Sequence, residues 1–402
     1  MLKDRNFIIL CCIAFLYALA NGAVWFVLPT LLSTIVPDVF AIGMLLILPY
    51  LAGLIIAMPA GNLSDYVGRK RVAIFGLILA LVAGVMILAI NNIIAFVIFA
   101  LFFGLSQGFI NSPARAYIMD IAPKEVSSEY FGTFLAAISL AIAISPLIAG
   151  VIISDGMVAS LPLLVTVYSI LTIVSICLFI VLYEPITKRR STREGLARIV
   201  IEDKLFVSAI KEFKKLRTIG LVIVFLSFFL TLMDGIMWSF EPLYYEELGF
   251  DPTTGGLIIF AYLAPLVFCQ IPAGYIADRY GKIKPMLVGL ALGGASLVLF
   301  GLVSDLTSIL LTALSSALGL SLAWPAVSGL IIDVSVNRNK GSISGVWNMA
   351  MDSASVVAPL LGGIISLMYV GVGGIFVAVG VLSLVMAPIL VLLLRRSQAM
   401  LQ

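Results

Sequence analysis

The chain has 402 residues, of which 62% are hydrophobic and 11% are charged, and its mean hydropathy is +1.19. Soluble globular proteins carry about 25% charged residues, so this composition excludes an ordinary soluble domain and indicates a membrane protein with many spans. The net charge of +3 follows from membrane topology, and we expect no nucleic-acid partner.

Twelve segments are long and apolar enough to cross a bilayer, which requires about 20 mostly apolar residues. The first follows Met-Leu-Lys-Asp-Arg-Asn and is far longer than the apolar core of a signal peptide, so we expect it to be retained. The predicted spans 1 to 12 are 7–36, 40–60, 72–90, 93–119, 130–154, 161–183, 218–246, 254–273, 285–304, 307–332, 342–369 and 372–394.

Charge is distributed unevenly between the two sides of these spans. All but one of the 24 Lys and Arg residues lie at the termini or in the even-numbered connections, and Arg115 is the exception. The charged residues in the odd-numbered connections are all Asp or Glu. Because positive charge marks the cytoplasmic side, we expect a multi-pass protein of the cytoplasmic membrane with both termini in the cytoplasm.

Two short motifs stand in equivalent places in the two halves of the chain. Residues 61–71 read Gly-Asn-Leu-Ser-Asp-Tyr-Val-Gly-Arg-Lys-Arg, and 274–284 read Gly-Tyr-Ile-Ala-Asp-Arg-Tyr-Gly-Lys-Ile-Lys. They match at a constant spacing of 213 residues. The matched pairs are Gly61 with Gly274, Asp65 with Asp278, Gly68 with Gly281, and Arg69 with Lys282.

The same spacing relates spans 1 and 7. Asn21, Gly22, Trp25 and Pro29 match Asp234, Gly235, Trp238 and Pro242. Pro146 and Gly150 in span 5 likewise match Pro359 and Gly363 in span 11. One register held over this length predicts two six-helix bundles in tandem, and because six is even both enter the membrane in the same sense.

The first motif resembles the loop between helices 2 and 3 of the major facilitator superfamily, whose pattern is G-x-L-x-D-R-x-G-R-K. Tyr66 stands where the family usually has Arg, and the second copy restores it as Arg279. The chain is therefore similar to that superfamily. The resemblance implies an all-α membrane protein with twelve transmembrane helices in two pseudo-symmetric six-helix bundles.

Two further motifs partly match the drug:proton antiporter branch of that superfamily. Gln107-Gly108 fit R-x-x-Q-G in helix 4, but Gly104 occupies the Arg position. Residues 145–150 fit part of G-P-x-x-G-G in helix 5, and 358–363 fit it as well. The chain therefore looks most like the drug:proton antiporter branch, but it lacks the helix 4 Arg that is expected for proton coupling.

The halves are joined by a basic segment. We expect an N-terminal bundle at 1–183, a linker at 184–217 and a C-terminal bundle at 218–402. Within the linker, apolar residues recur at helical spacing from Glu194 to Leu216. This pattern predicts an amphipathic helix that lies on membrane lipid at the inner face.

The family resemblance implies a cytoplasmic gate around the two motifs. Asp65 would pack on the start of span 11, and Arg69 would pair with Asp120 at the end of span 4. The symmetric set is Asp278, Lys282 and Asp333. Gly61 would allow close backbone approach and Gly68 a positive φ. The alternative is a turn that only enforces topology.

Four ionisable residues lie within predicted spans, where charge is costly and function is the default explanation. Asp234 is the first candidate for proton or cation coupling, and Glu241, two turns further along span 7, is the second. The neutral Asn21 at the position equivalent to Asp234 leaves a helix-packing role open. Arg115 and Asp352 could pair with each other, or Arg115 could bind an anionic substrate.

Polar and aromatic positions on spans that line the central cavity in the superfamily are candidates for substrate contact, although each could equally be a packing residue. They are Asn21, Trp25, Gln107, Asn111, Trp238, Tyr262, Trp324 and Asn348.

The chain has no histidine, no phosphate-binding loop with G-x-x-x-x-G-K-[ST] spacing and no nucleophile elbow. We therefore expect no enzyme activity, no metal and no cofactor. The expected function is proton-coupled export of drug-like or amphipathic small molecules by a monomeric secondary transporter. One alternative is proton-coupled uptake of a small organic anion. A second is a transporter-like receptor or lipid scramblase without ion coupling.

Overall fold

A computed structural model of the protein describes residues 4–122, 127–183, 217–334, 340–368 and 371–399. Within these ranges the regular elements are α-helices and one short 3-10 turn at Ile87–Ala89. The helices of the first half are α1 (Arg5–Ser33), α2 (Val39–Val67), α3 (Arg69–Met86), α4 (Ile93–Ile121), α5 (Ser127–Ile152) and α6 (Met157–Val181). Those of the second half are α7 (Arg217–Glu247), α8 (Pro252–Phe268), α9 (Gln270–Tyr280), α10 (Ile283–Phe300), α11 (Leu306–Val334), α12 (Lys340–Ser366) and α13 (Gly373–Ala399).

Ten helices in the described part of the chain are long and apolar enough to cross a membrane, and α8 with α9 would make an eleventh. The predicted span at 254–273 is not one straight helix, because α8 and α9 meet at Cys269 with a bend of 48°. Pro272 explains the break. It has no N–H to donate to the carbonyl of Phe268, and its ring crowds the preceding turn.

Several helices begin at a capping side chain. Asp38, Asp251 and Asp305 each precede a helix and accept hydrogen bonds from backbone N–H groups of its first turn. Such caps satisfy donors that the helix itself leaves free. These three acids therefore have a structural role at helix starts in addition to their place in the charge pattern.

The chain divides into two compact units. Within the described ranges, unit 1 comprises Met1–Pro37, Leu45–Glu202 and Asp251–Gly256, and unit 2 comprises Asp38–Met44, Asp203–Phe250 and Leu257–Gln402. The predicted linker lies almost wholly outside the described residues, so the division at 183 and 217 stays a prediction.

The two units share one packing scheme. In unit 1, α1 packs on α5 and α6, and α3 packs on α4 and α6; in unit 2, α7 packs on α12 and α13, and α10 packs on α11 and α13. Individual contacts repeat as well. Gly22 lies against Ser145, and Gly235, 213 residues later, lies against Ala358, also 213 residues later. The internal repeat predicted from sequence spacing is present in the packing.

Each unit also includes a short segment from the other half of the sequence. In unit 1 the start of α8 lies on α5, with Gly256 against the carbonyl of Pro146. In unit 2 the start of α2 lies on α12, with Gly43 against the carbonyl of Pro359. These two contacts are again related by the 213-residue spacing, and each requires a residue without a side chain.

We predict that Asp251→Ala lowers the free energy of unfolding by about 1 kcal/mol at neutral pH, as loss of a helix cap does. Hydrogen bonds from the Thr254 hydroxyl and backbone N–H lower the pKa of Asp251. Its ionised form therefore stabilises the fold above the ordinary carboxyl range, and this stabilisation is lost as the pH falls through the lowered pKa. Thermal unfolding at pH 7 and at about pH 3 should show the difference between wild type and variant narrowing in acid.

Asp155→Ala is the matched control, because Asp155 is exposed and α6 begins without a side-chain cap. Equal losses in the two variants would contradict the capping role of Asp251.

Candidate functional site

The apolar interior of α7 carries two carboxylates, Asp234 and Glu241, ahead of Glu246 and Glu247 at the end of the helix. Asp234 is half-buried, and its Oδ1 accepts a hydrogen bond of 3.1 Å from the hydroxyl of Tyr262 on α8. Asp234 makes no ion pair with any residue that the structure describes. Its recorded partner is thus a neutral donor, which can remain in place whether the carboxylate is ionised or protonated.

Glu241 lies seven residues further along α7, two turns away and on the same face. It is 1% exposed, and its Oε1 accepts a hydrogen bond from the hydroxyl of Tyr245, one turn on in the same helix. No described Lys or Arg pairs with it. Because a buried carboxylate without a cation is costly in its charged form, both acids of α7 are suited to bind and release a proton.

Asn21 occupies the equivalent position in unit 1. Its Oδ1 is buried and has no hydrogen-bond donor among the described residues. One turn further along α1, Trp25 stacks on Tyr50 with ring centroids 4.3 Å apart and contacts Phe103 at 5.6 Å. The two related positions therefore differ in chemistry, with a carboxylate in α7 and an amide beside an aromatic cluster in α1.

The other candidates divide by exposure. Trp238, Gln107, Trp324 and Asn348 are half-buried, whereas Asn111, Arg115 and Asp352 are exposed. Tyr262, another candidate for substrate contact, is 1% exposed, and its hydroxyl donates a hydrogen bond to Asp234. The pairing of Arg115 with Asp352 stays a prediction.

The first motif is more helical than predicted. α2 continues to Val67, so Gly61 and Asp65 lie in its last turns, and only Gly68, with φ 112°, separates α2 from α3. The positive φ expected at Gly68 is confirmed. Among the described residues, an added Cβ at Gly61 would lie an ordinary 3.7 Å from the side chain of Ser112, and the expected close approach stays a prediction.

Arg69 is the centre of a polar cluster at the ends of α2 and α4. Its Nε donates to Asp120 Oδ2 at 3.2 Å, its NH1 donates to Ser64 Oγ at 2.6 Å, and its NH2 pairs with Asp65. The Arg69–Asp120 contact that the family resemblance implies is present. Because guanidinium presents several donors in a fixed plane, it can hold three partners at once.

The second motif has a different chemistry. Gly281 has φ 83° and ends α9, and Lys282 Nζ donates to the carbonyl of Gly329 at 3.0 Å. Asp278 is exposed, and an added Cβ at Gly274 would lie 3.8 Å from Pro325. The side chain of Asp333 and the residues before α12 lie outside the described set, so the predicted contacts of Asp333 and of Asp65 with span 11 stay predictions.

Three partners were missed by the sequence analysis. Ser64 and Tyr245 lie close in sequence to the residues they bind, and the i, i+4 spacing of Glu241 and Tyr245 could have indicated their bond. Lys70 donates to the carbonyls of Ile180 and Leu182 at the end of α6, at 2.6 and 3.1 Å. Only tertiary structure brings Lys70 to that helix end, and no local pattern signals it.

We predict that Gly68→Ala destabilises the protein by about 1–3 kcal/mol, because φ 112° with ψ 139° is a conformation that essentially only glycine adopts. Gly61→Ala in the same motif should be close to neutral, since its Cβ has ordinary space. Thermal unfolding of both variants tests this. A loss at Gly61 as large as that at Gly68 would refute the difference in backbone constraint.

Solved structures with the same fold include transporters. The nucleoside transporter NupG superimposes with a TM-score of 0.76 at 13% identity, over 97% of this chain and 99% of that one. A peptide transporter named POT gives 0.76 at 12% identity, over 98% and 94%. At such identities the likeness shows the fold alone.

Relatives in sequence are distant. The quinolone resistance protein NorA of Staphylococcus aureus is 25% identical over 171 residues, which are 42% of this chain and 44% of NorA. The match thus spans less than half the length of that relative. The uncharacterized MFS-type transporter MJ1560 of Methanocaldococcus jannaschii is 24% identical over 312 residues, 75% of this chain and 76% of the relative.

The profile described as Major Facilitator Superfamily matches residues 10–239 and again 223–400, which together cover nearly the whole chain. The two matches correspond to the two halves of the internal repeat. This chain belongs to the major facilitator superfamily and is a multi-pass membrane protein.

Proposed function

We propose that the protein exports drug-like or amphipathic small molecules by alternating access, in exchange for protons that bind at Asp234. The observation that carries the proposal is the hydrogen bond that Tyr262 on α8 donates to Asp234 on α7, with no described ion pair at the carboxylate. Glu241, two turns away with its own tyrosine partner, is the second proton-binding candidate.

The physical argument begins with the cost of charge in an apolar environment. An ionised carboxylate there is stabilised only by a counter-charge or by strong hydrogen bonds. A change in the hydration of the carboxylate therefore shifts the balance between its ionised and its protonated form. In alternating access the surroundings of such a group change between states. A carboxylate with a neutral partner is therefore suited to release its proton on one side and regain it on the other.

The direction of transport has weaker support. The partial antiporter motifs at Gln107 and Pro146 and the 25% identity to a quinolone resistance protein favour export.

The charge pattern favours location in the cytoplasmic membrane with both termini inside. A single chain containing both six-helix repeats needs no partner to complete its fold, which favours a monomer.

The test is proton movement in proteoliposomes that contain a pH-sensitive dye. Cationic drugs and organic acids are added in turn to wild type, Asp234→Asn and the control Asp155→Asn, whose side chain is exposed in a connection. We predict that a cationic compound drives a pH change in wild type and control, and that Asp234→Asn abolishes it. Asp234→Glu should retain part of the response, because it keeps the ionisable group.

The other outcomes identify the alternatives. If only acids move protons and Arg115→Gln abolishes the effect, the chain is an anion importer; exposed Arg115, without a described ion-pair partner, would then bind the substrate. If no compound moves protons in wild type, coupling is refuted, and a uniporter, receptor or scramblase remains.

We further propose that the Arg69 cluster is a cytoplasmic latch. Because Arg69 holds Asp120, Ser64 and Asp65 together, Arg69→Gln and Asp120→Asn should each lower the transport rate, and the double variant should lose little more than either one. Arg71→Gln is the control, since Arg71 is exposed and makes no described ion pair. Additive losses, or an equal loss at Arg71, would show that the motif acts through its charge alone.

A further inference from the structure

The buried tyrosines that the structure describes in unit 2 each have a hydrogen-bond acceptor. Tyr262 donates to Asp234, Tyr245 donates to Glu241, and Tyr244 donates to the carbonyls of Phe300 and Val303. This is the usual rule for a phenol taken out of water, because an unbonded buried hydroxyl is costly.

Two buried tyrosines of unit 1 depart from this rule. Tyr17 on α1 is 4% exposed and Tyr168 on α6 is 2% exposed, and neither hydroxyl has a hydrogen-bond partner among the described residues. Tyr117 on α4, by contrast, donates to the carbonyl of Tyr183. The two tyrosines belong to α1 and α6, which pack on each other.

The nearest hydroxyl groups do not fill the need. Ser106 Oγ, beside Tyr17, donates to the carbonyl of Phe103 at 2.7 Å. Thr172 Oγ1, beside Tyr168, donates to that tyrosine's own carbonyl at 2.8 Å. Both oxygens could still accept a hydrogen bond, but by distance and angle neither one accepts from a tyrosine hydroxyl.

Tyr168 has little freedom to seek another partner. Its ring lies where a Cβ on Gly84 would be, so the side chain fills a space on α3 that only glycine leaves open. One turn from Tyr17 on α1, Asn21 Oδ1 is a third buried polar atom without a partner among the described residues. Three unmet polar atoms thus lie on or beside one stretch of α1.

The chemistry of these atoms selects the ligand. The tyrosine hydroxyls need an acceptor, whereas Asn21 Oδ1 needs a donor. A cation would serve only the oxygens as acceptors, and an anion would serve only the donors. Arg115, the charged residue within predicted span 4 of unit 1, is exposed and is therefore not an interior charge. Water both donates and accepts, and buried water typically makes about three bonds to such groups.

We propose that Tyr17, Tyr168 and Asn21 form an internal hydration site in unit 1, with ordered water bridging the two tyrosine hydroxyls between α1, α4 and α6. This inference goes beyond the transport proposal and does not depend on proton coupling. It also assigns the tyrosines a role as water ligands in place of simple packing.

The test compares Tyr17→Phe, Tyr168→Phe and the double variant with wild type by thermal unfolding in detergent. If water bridges the hydroxyls, each single substitution removes one hydrogen bond of the bridging water, and Tm falls by about 2–4 °C. The double variant should fall no further than the larger single loss, because the two side chains share one ligand. Tyr244→Phe, which loses two bonds to backbone carbonyls, is the positive control.

The contrary result is equally definite. If the site is dry, each substitution removes an unsatisfied hydroxyl, and Tm stays level or rises. Hydroxyl-radical footprinting gives an independent measurement, because radicals formed from bound water label adjacent side chains that bulk solvent does not reach. Unlabelled Tyr17 and Tyr168, or single variants as stable as wild type, overturn the proposal.

Discussion

Hydrocarbon offers no hydrogen bonds, and every polar group placed in it must find a partner within the protein. The described backbone meets this constraint by forming helices almost throughout, and helix ends use capping side chains such as Asp38 and Asp305. Where α6 ends, Lys70 and Tyr117 bind its last carbonyls from two other helices. The same constraint makes each exception informative, because a polar atom that is left without a partner, or with a neutral one, indicates a site where something binds.

The repeat supplies one scaffold and two chemistries. Gly22 on Ser145 and Gly235 on Ala358 keep the same helix contact in both units, yet the neighbouring polar positions differ. Asn21 in one unit is Asp234 in the other, and the three-partner guanidinium of Arg69 is replaced by the single ammonium of Lys282. Packing contacts depend on shape, which small residues preserve, while charged positions have diverged. The proton-binding candidates on span 7 and the strong motif cluster accordingly lie in different units.

Hydropathy and spacing were sufficient to predict the helical fold and its internal repeat, because these depend on composition and periodicity, whereas the family followed from the resemblance of the motif at 61–71. The bend at Cys269 was missed, since hydropathy does not register the N–H that Pro272 lacks. The helical course of Gly61 and Asp65 was missed because polar residues at a membrane surface can continue a helix as well as leave it. Asp234 was found from its charge alone, whereas its bond to Tyr262, and the unmet hydroxyls of Tyr17 and Tyr168, depend on contacts between helices far apart in sequence.

The bend between α8 and α9 has a mechanical consequence. α8 carries Tyr262, the hydrogen-bond donor to Asp234, and α9 carries Gly274 and Asp278 of the second motif. A straight helix would behave as one rod, and rotation at one end would be transmitted to the other. Because of the 48° bend at Cys269, and because Pro272 lacks an N–H to bond to Phe268, α8 and α9 are two helical segments and not one straight helix. The second motif on α9 can then move by a change in the bend angle at Cys269, while the distance between Tyr262 and Asp234 stays the same.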